Sequence, residues 1–278
     1  MILPDILVEP IVRAALLEDF GIAGDATARA TTLPGERLRA RFVSRAEGVA
    51  AGLQPARLAI TYVDATLAFA PHCEDGARIA PGATLAEIEG PAASVLAAER
   101  TALNFMTHLS GVATLTARFV DAVAHTKAKI AGTRKTLPGL RALQKQALIL
   151  GGAWPHRYGL NDAILIKDNH IAAAGSVGEA LRRARDAAGH MLAIEVEVDS
   201  LAQLEEALPF RPHAILLDNF SLADLGRAVA ITDGAVMLEA SGGVRFDTVR
   251  AIAETGVDVI SVGALTHSAP ALDIGLDV

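Results

Sequence analysis

The stretch "LAIEVEVDSLAQLEEALPFRPHAILLDNF", residues 192–220, holds one complete strand–helix–strand repeat. Its first apolar run, "LAIEVEV" (192–198), is rich in β-branched residues, as a buried strand requires. "SLAQ" at Ser200 is a capping box, with Gln203 at the third helical position. The next apolar run, "AILLD" (214–218), begins 22 residues after the first, and the same interval leads on to "VMLEA" (236–240) and "DVISV" (258–262). Upstream, "AILIK" (163–167) and "AKIAG" (128–132) have the same character. A second capping box, "SVGE" at Ser176, and glycines at Gly151, Gly189 and Gly256 punctuate the helical patterns between them. Repeated strand–helix units with continuously apolar strands predict a parallel sheet covered by helices. Six such units in a row predict an α/β architecture, a parallel (β/α) barrel that is open or incomplete.

Outward from this core the chain changes character. "RARFVSRAEGVAAGL" (39–53) alternates charged and apolar residues, as a half-exposed antiparallel strand does. "PGATLAEIEGPAASVL" reads as a short strand, a turn and a helix start, and a helical pattern runs from Ala92 to about His125, with a break expected at Gly111. The expected organisation is a small α+β domain over residues 1–108, then the barrel over residues 109–278. The 278 residues are 51% hydrophobic and 4% aromatic, so the core must be aliphatic. A formal net charge of -7 argues against nucleic acid as a partner. Cys73 is the one cysteine, which excludes an internal disulfide and a cysteine-based zinc site, and it reads as a loop thiol without a role. The opening "MILPDILVEP" lacks the pattern of a signal peptide, and no uncharged apolar run reaches membrane-spanning length. A soluble, cytoplasmic protein is expected, with no membrane association.

Against the acidic balance, residues 130–171 gather Arg134, Lys135, Arg141, Lys145, His156, Arg157, Lys167 and His170, with only Asp162 and Asp168 to oppose them. A local cationic pocket concentrates a small anion whatever the net charge. Arg141 and Lys145 lie one helical turn apart and are expected on a solvated face. His170 is expected at a helix start or in packing. In a parallel barrel the site forms at the carboxyl ends of the strands, and most strands here end in polar groups: Lys167, the pair Glu195 and Glu197, Asp218, and Glu239 with Ser241. "SGG" (241–243) and the glycine of "GALTHS" (from 263) follow late strands, where such barrels commonly hold a phosphate. A lysine on a barrel strand could also serve as a Schiff-base nucleophile, though nothing near Lys167 selects for that.

The segments "TRKTLPGLRALQK", "HRYGLNDAILIKDNHI", "EVEVDS", "ILLDNF", "EASGGV", "TGVDVISVGALTHS" and "ALDIGLDV" together closely resemble the quinolinate phosphoribosyltransferase family, decarboxylating enzymes of NAD biosynthesis. "LLEDFGIAGDATARATT" and "AERTALNFMTHLSGVAT" extend the resemblance over nearly the whole chain. It implies a transferase that joins quinolinate to phosphoribosyl pyrophosphate with Mg2+, releasing CO2 and pyrophosphate. Thr133, Arg134, His156, Arg157 and Lys167 would hold the dicarboxylate, joined by Arg100 from the partner of a homodimer with shared sites, itself able to assemble further. Lys135 would face the pyrophosphate. Glu195, Glu197 and Asp218 would face the ribose, with Glu197 and Asp218 as metal ligands, and Lys135, Lys167, Glu197 and Asp218 would carry the catalysis. Ser241, Gly242, Gly243, Gly263 and Ala264 would cradle the 5-phosphate. The chain departs from the family at Gly132, where an acidic residue is usual, and at Pro155, where asparagine is usual, preceded here by Trp154. Two alternatives are a related molybdenum-transport-associated enzyme, which tends to lose "KDNH", and a non-catalytic barrel that binds a phosphorylated ligand. The intact "IKDNHI" and the Glu197–Asp218 pair argue against them.

Overall fold

The computed structural model describes residues 3–278. They form two compact units that are not contiguous in sequence. One takes the chain up to Ala117, then Thr136–Gly152 and Leu265–Val278; the other takes Arg118–Lys135 and Ala153–Ala264.

In the first unit, helices α1 (Asp5–Phe20), α2 (Ala26–Thr31) and α3 (Leu53–Val63) accompany strands β1 (Arg37–Ser44), β2 (Gly48–Val49), β3 (Ala68–Pro71), β4 (Arg78–Ile79) and β5 (Thr84–Pro91). β5 passes directly into α4 (Ala92–Val123), without the expected turn. The charged–apolar alternation of β1 does what it predicts. Ala40 and Phe42 are buried against Leu85, Ile88, Ala98 and Met106, while Arg37 and Arg39 pair across the strands with Glu89 and Glu87. β12 (Ile274–Asp277) returns from the far end of the sequence to pair antiparallel with β1, giving the order β12-β1-β5-β3. The expected division after residue 108 therefore differs from the observed units. That position lies inside α4, and the C-terminal strand belongs to the first sheet.

Two local expectations fail for one reason, burial on every side. Gly111 does not break α4, which runs unbroken through it. The glycine is there for close approach: a Cβ would lie 2.0 Å from the Pro270 carbonyl oxygen, a backbone atom that cannot swing away. Gly111→Ala is expected to cost about 1–3 kcal/mol through overpacking, read as a lower denaturation midpoint; an unchanged midpoint would contradict this packing. Lys145, expected on a solvated face, is completely buried in α5 (Arg141–Leu150), together with Gln144 and Gln146. α5 has no solvent face there, so its polar side chains serve internal bonds. Gln144 accepts from the Leu137 amide, donates to the Thr266 carbonyl and meets His108 at 2.9 Å. Arg141 is half-buried and donates to Thr136 Oγ1.

The second unit carries the repeat. Its strands are β6 (Lys129–Ala131), β7 (Ile164–Ile166), β8 (Ile194–Val198), β9 (Ala214–Asp218), β10 (Met237–Ser241) and β11 (Val259–Ser261). Its helices are α6 (Asp168–Ala174), α7 (Val177–Ala187), α8 (Leu201–Ala207), α9 (Leu222–Thr232) and α10 (Val249–Glu254), and α11 (Ala264–His267) follows. Ser176 and Ser200 cap α7 and α8, as their capping boxes predict. All strand pairs are parallel, in the order β6-β11-β10-β9-β8-β7. The first strand thus neighbours the last, the arrangement of a sheet curling towards closure. On the other flank of β6, Ala131 bridges in parallel to Trp154. Among the described residues no ladder joins that segment to β7, so the barrel is open at this seam. Val196, Val198, Ile215, Leu217 and Ile260 are buried on the sheet face opposite to the one that carries Glu197, Leu216, Asp218 and Glu239. No described helix is long and apolar enough to cross a membrane.

Candidate active site

The strand order delivers the polar residues to one end. Thr133, Arg134 and Lys135 follow β6, His156 and Arg157 follow the Trp154 bridge, and Lys167 follows β7. Glu197 lies in β8, Asp218 closes β9 and Ser241 closes β10. These residues line a single cavity of about 550 Å³, with Gly242 and Gly243. That volume suits a small ligand. Two expected residues follow β11 without lining it, Gly263 and Ala264. Arg100 belongs to the first unit, on α4, where its side chain is 64% exposed and 3.9 Å from Glu99.

The cations are set to receive an anion. Arg134 Nε is buried without a hydrogen-bond partner, an arrangement that costs stability unless a ligand supplies the acceptor. Arg157 Nη1 donates to the Ala163 carbonyl. Burial, with the nearby charge of Arg134, lowers the Arg157 pKa. Asp162, one of the two acids in the basic stretch, lies within reach of the Arg157 charge. It accepts the Tyr158 and Gly159 amides and shapes the loop. Lys167 Nζ pairs with Glu197 Oε2 at 2.5 Å. The Lys167 amide donates to His170 Nδ1 at 2.9 Å, which makes His170 the helix-start residue of α6.

Glu195 departs from its expected place beside Glu197. It does not line the cavity but turns its carboxylate to His156, with Oε2 3.3 Å from Nε2. Glu239, which sequence reasoning left out of the site, reaches the same nitrogen at 3.4 Å. Its signal was available: Glu239 stands two residues before Ser241 on one strand, so both side chains share a face. His156 sits in a left-handed backbone conformation, φ 56°, and its Nδ1 accepts the Arg157 amide at 2.8 Å. Burial disfavours charge on this ring, and the two carboxylates outweigh it, raising the pKa to about 9. The Arg157 amide opposes that value, because its N–H points at the atom that would carry the second proton. The short contact fixes the resting tautomer, with the proton on Nε2. Burial also raises the Glu195 pKa above the usual carboxylate range.

At the phosphate end, Gly242 (φ 94°) and Gly243 (φ 59°) form a turn of two left-handed residues. A Cβ on Gly242 would lie 2.2 Å from Asn219 Oδ1 and 2.8 Å from the Asn219 amide nitrogen, so glycine is required there. Asn219, itself at φ 57°, donates its amide to the Ser241 carbonyl and its Nδ2 to Asp218 Oδ2 at 2.7 Å. Consecutive amides in such turns make concave anion sites. Asn219 also lines the cavity, and the sequence carried no signal for it beyond adjacency to Asp218.

Comparison with known proteins agrees with this geometry. Residues 25–110 match the N-terminal domain of quinolinate phosphoribosyl transferase and residues 112–277 its C-terminal domain. A nicotinate-nucleotide pyrophosphorylase [carboxylating] of Mycobacterium leprae is 48% identical over 272 residues, covering 96% of this chain and 95% of the relative. A probable enzyme of the same name from Bacillus subtilis is 42% identical over 263 residues, covering 94% of this chain and 90% of the relative. The solved structure of the nicotinate-nucleotide pyrophosphorylase from Francisella tularensis superimposes with a TM-score of 0.95 at 38% identity, covering 99% of this chain and 97% of the other. With both domain models matched across most of its length, the chain belongs to the quinolinate phosphoribosyl transferase family.

Proposed function

We propose that the protein transfers the phosphoribosyl group of phosphoribosyl pyrophosphate to quinolinate, forming nicotinate mononucleotide, CO2 and pyrophosphate in NAD biosynthesis. The observation that carries this reading is one cavity in which Arg134, Lys135, Arg157 and Lys167 converge with Glu197, Asp218 and the Gly242–Gly243 turn. An aromatic dianion needs the cations, and a ribose phosphate needs the turn. Arg134 and Arg157 grip carboxylates in two-pronged fashion, with Lys167, Thr133 and the wall formed by His156 beside them. Lys135, exposed at the cavity's edge, faces the departing pyrophosphate. The bond from the ribose C1 to pyrophosphate breaks as the pyridine nitrogen bonds to that carbon. Glu197 and Asp218 offset the positive charge that builds on the ribose. The alkylated nitrogen is then an electron sink. The neighbouring carboxylate leaves as CO2, and its electron pair remains on the ring carbon, which takes up a proton.

Glu197 and Asp218 also suit Mg2+ by their donor chemistry. Both are carboxylates on adjacent strands, and each has a second oxygen besides the one that meets Lys167 or Asn219. When bound there, Mg2+ would neutralise the pyrophosphate. The cytoplasm is the expected setting for these charged small molecules. The acceptor is tested by offering quinolinate and nicotinate separately. Nucleotide formation from quinolinate alone is expected, and equal use of nicotinate would defeat the dicarboxylate reading.

The exposed Arg100 completes the reading if a two-fold partner lends it to the neighbouring cavity. A two-fold dimer has two equivalent shared sites. Mixing inactive Arg100→Ala with inactive Lys167→Ala is then expected to restore about a quarter of wild-type activity on random exchange. Mass-tagged chains establish the exchange. Exchange without recovery would place the whole site in one chain.

A further inference from the structure

In the cluster His156–Glu195–Glu239, His156 and Glu239 line the cavity and Glu195 lies outside its lining. Glu239 is only 4% exposed. Glu195 Oε1 has no hydrogen-bond partner within the protein, and Glu239 Oε1, the atom 3.4 Å from His156 Nε2, stands close to the ring without completing a hydrogen bond. Two buried carboxylates held close together are costly unless something uses them. What they share is a single atom, His156 Nε2, at 3.3 and 3.4 Å. The opposite edge of the same ring is engaged as well, by the Arg157 amide at 2.8 Å. The imidazole is therefore held at both nitrogens by protein groups. The chain at this point has a left-handed backbone, which a non-glycine residue adopts only when its surroundings enforce it. The next residue is Arg157, whose guanidinium lines the cavity.

We propose that Glu195 and Glu239 are positioning residues that act through His156. Glu195 holds its Nε2–H from strand β8, and the Glu239 carboxylate faces the same atom from strand β10. The fixed ring then holds the Arg157 amide, and with it the sharp turn that presents the Arg157 guanidinium to the acceptor's carboxylate. The specificity for an aromatic dicarboxylate depends on this chain of contacts behind the Arg157 guanidinium. The inference rests on the function proposed above for its kinetic readout alone, since the geometry of the ring stands without it.

The experiment compares wild type, Glu239→Gln, His156→Gln and the double variant. Glu239→Gln keeps the shape and removes one acceptor. Its KM for quinolinate is expected to rise about tenfold as the ring loses one of the two carboxylates facing it, with the KM for phosphoribosyl pyrophosphate unmoved. A role in stability alone would not separate the two substrates. In the His156→Gln background the same change is expected to add nothing, because the residue acts through the ring. Spectra of protein labelled with 15N-histidine read the ring directly, with the His156 signal assigned by its loss in His156→Gln. A single Nε2-protonated ring with a slowly exchanging proton is expected in wild type, and rapid exchange in Glu239→Gln.

A quinolinate KM unchanged in Glu239→Gln, or an undiminished effect without His156, would overturn the proposal. So would a ring signal indifferent to Glu239→Gln, or a divalent ion that copurifies with wild type and is lost in Glu239→Gln, since the three donor atoms lie within 4.8 Å of one another. Should the wild type fail to use quinolinate at all, the proposed function falls, and the ring spectrum still decides this inference.

Discussion

Arg134→Ala is expected to lower kcat/KM for quinolinate by on the order of 10²–10³-fold while the melting temperature stays near that of wild type. The loss is that of a charge-assisted contact to a desolvated dianion, about 2–5 kcal/mol. Stability should hold because the side chain contributes little to it. Its Nε is already buried without a partner, so truncation relieves an unsatisfied donor. Lys167→Ala is expected to act differently. Lys167 is paired with Glu197 and its side chain is 45% exposed. Its removal frees Glu197 as well as the acceptor, so the KM values of both substrates should rise. Steady-state kinetics beside a thermal melt checks both variants. Near-normal efficiency in folded Arg134→Ala would remove the dicarboxylate from this cavity.

The second large effect is expected for Asp218→Asn. The substitution preserves shape at the end of β9 and removes the charge proposed to face the ribose and Mg2+. The rate should fall by on the order of 100-fold or more, the scale of losing one preorganised electrostatic contact in a transition state. The Mg2+ dependence should shift upwards as one of two carboxylate donors is lost. The Asn219 contact sharpens the test. Asn219 Nδ2 donates to Asp218 Oδ2, and an amide at 218 can offer an oxygen to the same donor, so the loop is expected to keep its geometry. An unchanged rate with unchanged Mg2+ dependence would make Asp218 structural.

The architecture was legible because its signals are local and repeat. Runs at 192, 214, 236 and 258 became β8 to β11, in register and in sequence order around the barrel. Strand-end polarity then placed Lys167, Glu197, Asp218 and Ser241 at one cavity. What was illegible depends on contacts distant in sequence. Gly111 looks like a helix break until Pro270, 159 residues later, is found against it. Lys145 has the spacing of a surface residue, but α5 has no surface at that position. Glu195 and Glu197 share a strand face, so alternation cannot tell which meets the cavity. The left-handed turn at His156 decides it, by bringing the imidazole over Glu195. Glu239 was noted as a strand-end acid, but its partner, His156 on another segment, carries no mark in the sequence. The place of the C-terminal strand in the first sheet escaped because β12 pairs with β1 across the whole length of the chain.

The most direct test of the central claim follows the carboxylate itself. Quinolinate labelled at the carboxyl group beside the ring nitrogen is incubated with the protein, phosphoribosyl pyrophosphate and Mg2+, and labelled CO2, pyrophosphate and nicotinate mononucleotide are measured together. The account predicts equimolar release of all three, with no labelled CO2 when phosphoribosyl pyrophosphate is withheld. Labelled CO2 without phosphoribosyl pyrophosphate, or a nucleotide that retains the label, would contradict it.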